Sequence, residues 1–287
     1  MDVIEKIVRI NSENLSKAIT IGCLVPKQID RSLILLHGYD GTYGAMKNNL
    51  SLETYAAEHN LLIVIPNTDN GYYIDRENYL ISTFIARELL QFLRNEFQMK
   101  ESNDILLGGS SMGGYGALLI GAKYPNVFRK ILCISAAFIQ NDVTIGNPEV
   151  VGAHQNREVV KYFEKTFGPF LTLENSARRN PFAAITKIKD EDSKPQIIIT
   201  CGTEDMLYIR NEKAVQCIRE NGLECDFYPI ENGLHDYECF KKGLNYAMNK
   251  VEMKRKEKNN EDSCNTRCSL KASDFSSGFC TYERRNS

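Results

Sequence analysis

The chain has no surplus of charge of either sign, no apolar run approaching the thickness of a bilayer, and only four histidines in 287 residues. With 35 basic against 37 acidic side chains, and no basic stripe interleaved with aromatics, nucleic acid is excluded as an expected partner. The missing apolar run excludes a membrane-spanning helix. Met1-Asp2-Val3-Ile4-Glu5-Lys6 places acids where an export signal needs bases, so the expected location is cytoplasmic. Nine cysteines are present, but the count is odd and their scatter is even. Cys133 and Cys201 fall in apolar strand patterns and Cys217 in a helical one, where a reduced thiol serves as a small apolar group. Cys264, Cys268 and Cys280 have no fourth ligand at a zinc-site spacing and no histidine nearby, so no metal is expected.

The length allows one large core. Strand and helix signals alternate from about residue 32, which predicts an α/β architecture: a mostly parallel sheet of about eight strands with helices on both faces. The strands are read at Ser32–Leu36, Leu61–Ile65, Ile105–Leu107, Lys130–Ser135, Gln196–Thr200 and Cys225–Ile230. Helical spacing covers Lys47–His59, Asn78–Glu96, Arg210–Asn221 and His235–Lys250. Before them, Val3–Ile10 and Ala18–Leu24 read as an antiparallel pair at the leading edge. Residues 138–194 interrupt the alternation with helical pieces at Arg157–Lys165 and Asn180–Lys187, a small cap inserted into a catalytic domain of residues 1–250. Residues 251–287 turn charged and lose apolar periodicity, which reads as a disordered tail.

Within this frame Ile105 to Ala117 carries an apolar run, then Gly109-Ser110-Ser111-Met112-Gly113, then small residues ahead of good helix formers. A Gly-x-Ser-x-Gly between strand and helix is a nucleophile elbow, where the glycines permit a turn too tight for side chains. Ser111 is the candidate nucleophile, and the Met112 N–H points to the same spot. A nucleophilic serine needs a histidine to take its proton and an acid to orient that histidine, in the chain order Ser, acid, His. His37 and His59 precede the serine and His154 lies in the cap, leaving His235 in Asn232-Gly233-Leu234-His235-Asp236. The strand ending in Cys201-Gly202-Thr203-Glu204-Asp205 offers two carboxylates. Asp205 is favoured, with Glu204 open as the alternative, while Asp236 is expected to cap the following helix. A second oxyanion donor is expected in His37-Gly38-Tyr39-Asp40-Gly41, from the Tyr39 N–H, with His37 structural. Tyr72, Tyr73 and Tyr208 follow strand ends and are candidate pocket-wall residues.

Five motifs fall in order: the His37-Gly38 turn, Ile65 to Tyr73, Gly109 to Ala117, Cys201 to Asp205, and Gly233 to Asp236. Together they resemble the esterase D family of α/β-hydrolases, closest to its bacterial tributyrin-esterase branch. The resemblance spans about residues 3 to 250 and resolves the acid toward Asp205. It implies a serine carboxylesterase without cofactor, acting on small-molecule esters of short acyl groups. Relatives include S-formylglutathione hydrolases, feruloyl and acetylxylan esterases and mycolyltransferases, so a thioester substrate or a transferase reaction stays open, as does assembly as a homo-oligomer. A non-catalytic binding protein on the same fold is the reading of another class, and no triad member is missing to favour it. Two departures bear on the pocket: Tyr39 stands where many relatives have a smaller or aliphatic residue, and Tyr237 where tryptophan is frequent.

Overall fold

The continuous apolar runs become the middle of a sheet. The computed structural model describes residues 3–100, 104–140, 157–168, 176–190 and 193–253. Its strands are β1 (Val3–Ser12), β2 (Lys17–Pro26), β3 (Arg31–Leu36), β4 (Leu61–Pro66), β5 (Asp104–Ser110), β6 (Lys130–Ile134), β7 (Gln196–Gly202) and β8 (Cys225–Ile230). All eight join one sheet in the order β1-β2-β4-β3-β5-β6-β7-β8. The β1–β2 hairpin is antiparallel and β2 meets β4 antiparallel. From β4 across to β8 every pairing is parallel. Every residue of β3 and β4 is buried, as strands covered on both faces require, whereas β1 is largely exposed at the edge. Residues 3–247 form one compact unit; the second, Met248–Ser287, is described only over residues 248–253, which are helical.

The helices depart from the sequence reading where local backbone strain intervenes. The stretch Lys47–His59 is two helices, α1 (Tyr43–Asn49) and α2 (Leu52–Glu58), because Ser51 between them takes a left-handed conformation at φ 53°. The stretch Asn78–Glu96 becomes helical only at Ile81, since Asn78 also has positive φ. Ile81–Thr83, Phe84–Leu89 and Leu90–Phe97 then run on as α3, its middle six residues wound as a π-turn. Next comes α4 (Met112–Lys123), buried at every position but its last, so its face pattern is apolar all round. From the expected cap come α5 (Arg157–Phe167) and α6 (Pro181–Ile185). After β7 and β8 follow α7 (Tyr208–Glu220) and α8, which starts at residue 237. Residues 141–156 of the expected cap, His154 included, with 169–175 and 191–192, and the tail from residue 254, with Cys264, Cys268 and Cys280, lie outside the described residues. No described helix is long and apolar enough to cross a membrane.

The register fixes where chemistry is possible. Leu36 of β3 pairs with Gly109 of β5, and Ser110 with Ile134 of β6. The turns after β3, β5 and β7 therefore open on one edge of the sheet, the carboxyl ends of the parallel strands, where loops meet in α/β folds.

Candidate active site

Ser111 joins β5 to α4 with φ 54° and ψ −119°, a region that a residue with a Cβ enters only under constraint. Packing supplies the constraint. A Cβ on Gly109 would stand 2.3 Å from the Gly113 carbonyl carbon, and one on Gly113 would stand 2.0 Å from the Leu36 oxygen. Only glycine lets the turn close against β3. The Ser111 N–H donates to the Ile134 carbonyl (2.9 Å), and the Ser111 carbonyl accepts from Gly114 (3.0 Å) and Ala137 (2.9 Å), so the strained residue is tied to β6 and to its own helix.

His235, in the loop between β8 and α8, brings its Nε2 to 3.0 Å from the Ser111 Oγ and its Nδ1 to 2.7 Å from the Asp205 Oδ2. With the carboxylate facing Nδ1, that nitrogen carries the proton, and Nε2 accepts from the serine hydroxyl. Asp205 is held from its other side by the Leu207 N–H, which donates to Oδ1 at 2.8 Å. Its side chain is fully buried, whereas that of His235 is 25% exposed. Burial pushes the carboxyl pKa up, but the His235 hydrogen bond and charge, joined by the Leu207 N–H, outweigh it and hold the group below its ordinary value. Glu204 is exposed, and its N–H donates to the Gly233 carbonyl at 3.0 Å. A Cβ on Gly202 would lie 2.1 Å from that same oxygen, so the acid-bearing and histidine-bearing loops touch backbone to backbone. Asp236 caps α8: its Oδ1 accepts from the Cys239 N–H at 2.8 Å. Phe240, one turn into α8, sets its ring edge-on to the imidazole at 5.0 Å.

The loop after β3 lies against the elbow, since a Cβ on Gly38 would sit 3.3 Å from the Ser111 Cβ. Neither the Tyr39 N–H nor the Met112 N–H donates to any group among the described residues. Their surroundings are rigid. Gly41 N–H closes a turn on the Gly38 carbonyl (3.0 Å), and Asn70 clasps Asp40, its Oδ1 accepting from the Asp40 N–H (2.8 Å) and its Nδ2 donating to Oδ1 (2.6 Å). His37 is buried; Nδ1–H donates to the Gly38 carbonyl (2.7 Å) and Nε2 accepts from the Thr68 N–H (3.0 Å). Burial chiefly lowers its pKa, so the ring is neutral and both nitrogens are committed to shaping the turn.

The three tyrosines proposed as pocket wall go to different places. Tyr73 is turned inward, 2% exposed, with its hydroxyl donating to the His37 carbonyl at 3.0 Å and its ring in the space that a Cβ on Gly116 would fill. It braces the turn from beneath, and both Tyr72 and Tyr73 take positive φ in this loop. Tyr72 is also buried, its ring edge-on to Tyr115 (5.4 Å) and Phe167 (4.8 Å). Tyr208 opens α7 and leans on Phe227 of β8. Sequence reading missed Asn70, Tyr115, Tyr162 and Phe240. Tyr162 of α5 meets the Tyr39 ring edge-on at 5.9 Å and donates its hydroxyl to the Asn70 carbonyl, tying α5 to the loops after β3 and β4. The polar turn Asn67-Thr68-Asp69-Asn70-Gly71 after a strand end was the available signal for Asn70. Among the described residues no cluster of three or more His, Cys, Asp or Glu converges as metal ligands do.

Comparison with known proteins places this geometry in context. The profile of the Esterase family, described as "putative esterase", matches residues 12–250. An acetyl esterase from Caldicellulosiruptor saccharolyticus is 29% identical over 256 residues, covering 82% of this chain and 94% of that protein. Two solved structures from Staphylococcus aureus share the fold. An S-formylglutathione hydrolase superposes with a TM-score of 0.72 at 20% identity, over 87% of this chain and 98% of its own. A fluorophosphonate-binding serine hydrolase superposes with 0.73 at 21%, over 86% and 97%. At such identities the two structures speak for the α/β-hydrolase fold alone.

Proposed function

Since the chain belongs to the Esterase family and is a carboxylic ester hydrolase, we propose that it is a serine carboxylesterase of short-chain acyl esters working through an acyl-enzyme, with Ser111, His235 and Asp205 as its triad. The observation that carries this is the unbroken relay from Ser111 Oγ to His235 Nε2 at 3.0 Å and from His235 Nδ1 to Asp205 Oδ2 at 2.7 Å. Ser111 Oγ attacks the ester carbonyl as Nε2 takes its proton. The carbonyl oxygen becomes an oxyanion between the Met112 and Tyr39 N–H groups, which are donors with nothing else to satisfy among the described residues. The imidazolium, stabilised by the buried Asp205 carboxylate, returns the proton to the departing alkoxide. Water then repeats the sequence in reverse on the acyl-enzyme.

The reading of short acyl chains rests on the esterase D resemblance, and the acetyl esterase relative supports it. Tyr72 and Tyr115 pack edge-on against Phe167 at the end of α5, an aromatic cluster that joins this helix to α4. Free, buried Cys23, Cys133 and Cys201 support a reducing, cytoplasmic setting. The test is Ser111→Ala assayed on p-nitrophenyl acetate and butyrate. Loss of about 10³-fold or more in kcat is expected for removal of a nucleophile, with loss of fluorophosphonate labelling; activity equal to that of the wild type would refute the assignment.

A further inference from the structure

Far from Ser111, at the amino-terminal ends of β5 and β6, a groove of about 550 Å³ lies between α3 and the turn preceding β6. β5 has seven residues from Asp104 to Ser110, so at about 3.3 Å per residue the groove sits roughly 20 Å from the elbow. Among the described residues four cations line it, Arg87, Arg94, Arg129 and Lys130, against one acid, Asp104, which Lys130 engages at 2.5 Å. That is a strong local excess of positive charge in a chain whose net charge is −2.

The excess is created by how α3 sorts its charges. Its acids turn toward the hairpin: Glu88 accepts from Ser12 (2.8 Å) and Asn14 (2.7 Å), and Glu96 takes Lys6 at 2.5 Å. Arg87 and Arg94 line the groove instead, and neither has an acidic partner among the described residues. Seven residues of helix set the two arginines about 10 Å apart along the axis. Arg87 lies within the π-turn Phe84–Leu89, an interruption of regular winding often found where a helix serves a ligand. Leu90, Ile105 and Val127 contribute apolar surface, and the amides of Gln91, Asn95 and Asn126 contribute neutral hydrogen-bonding groups.

We propose that this groove binds an organic polyphosphate of nucleotide type. Planar guanidinium forks take phosphate oxygens two at a time, and cations spread over about 10 Å suit a chain of phosphates better than one anion. The apolar surface matches a flat ring, the amides match its polar edge, and the volume lies within the range of small-molecule sites.

The site is independent of the esterase assignment, so the two can fail separately. Titration calorimetry of the full chain with ATP at low, constant ionic strength is expected to show saturable one-to-one binding. Arg87→Glu and Arg94→Glu should each weaken it tenfold or more, and Ser111→Ala should leave it unchanged while abolishing ester hydrolysis. Both arginines are exposed, so the variants should fold, and their unaltered esterase activity checks this. Absence of binding at millimolar ATP, binding indifferent to both charge reversals, or binding lost in Ser111→Ala would overturn the proposal. Inorganic tripolyphosphate binding as tightly as ATP would overturn the nucleotide class.

Discussion

Replacing Asp205 with asparagine exchanges one oxygen for an amide nitrogen, and the surroundings dictate which one. The Leu207 N–H donates to Oδ1 at 2.8 Å, so the amide oxygen must remain there; the flipped amide would set two donors against each other. The NH2 group is thereby forced onto His235 Nδ1, now 2.7 Å from a carboxylate oxygen. An N–H donor at that place requires Nδ1 to be the unprotonated nitrogen, which moves the ring proton to Nε2, facing Ser111. The imidazole then cannot accept the serine proton, although shape and packing are preserved. The same inversion of tautomer in a serine-protease triad lowers kcat by about 10⁴, equivalent to about 5 kcal/mol of lost transition-state stabilisation. The assay is kcat/KM on p-nitrophenyl acetate at pH 7.5, with circular dichroism to verify folding and fluorophosphonate labelling as a second readout. Retention of more than about a tenth of wild-type kcat/KM, or an equal loss in Glu204→Gln, would refute the reasoning, because Glu204 is exposed and its side chain is outside the relay.

Three further outcomes follow from the same geometry. Asn70→Ala removes both hydrogen bonds that hold Asp40 and so loosens the Tyr39 N–H; kcat should fall about tenfold or more, below the 10²–10³ range for outright loss of an oxyanion donor, with KM nearly unchanged, and an unaltered kcat would contradict it. Gly113→Ala drives a Cβ to 2.0 Å from the Leu36 oxygen; urea unfolding should report a loss of about 3 kcal/mol or more, the upper end for overpacking. His37 titrates below its ordinary value in the fold, so on acidification the unfolded chain binds its proton first. Stability from this group is complete above about pH 6.5 and is lost as pH falls toward the folded value, by at most about 1.4 kcal/mol per pH unit. His59 is lowered too, again chiefly by burial, so His37→Gln should reduce, not abolish, the slope of urea midpoint against pH between 7.5 and 5; an unchanged slope would be the contrary result.

The sheet was legible because parallel strands covered on both faces need unbroken apolar runs, and Leu33–Leu36, Leu61–Ile65 and Ile197–Ile199 are such runs. The elbow was legible because its glycines answer a local steric demand. Helix breaks were not, since Ser51 carries its left-handed backbone without being a residue that announces one. Nor did spacing separate Glu204 from Asp205, because the choice depends on the Leu207 N–H and on the approach of a loop thirty positions on. The inward turn of Tyr73 was hidden for a related reason: its position after a strand end is apparent, but its positive φ and its hydrogen bond to the His37 carbonyl are not. The contacts of Asn70 with Asp40 and of Tyr162 with Asn70 span 30 and 92 residues, and no periodicity reports a partner at that range.

Where Gly202 and Gly233 meet, more hydrogen bonds stitch the two loops: Thr203 N–H to the Ile230 carbonyl (2.9 Å) and Asn232 N–H to the Thr203 hydroxyl (2.9 Å). Asp205 and His235 thus ride on a single raft, while Ser111 is moored separately to the sheet's centre. Motion that parts Ser111 from His235 must open the gap between raft and mooring, and a designer seeking a hardier catalyst should rivet that seam before touching either side of it.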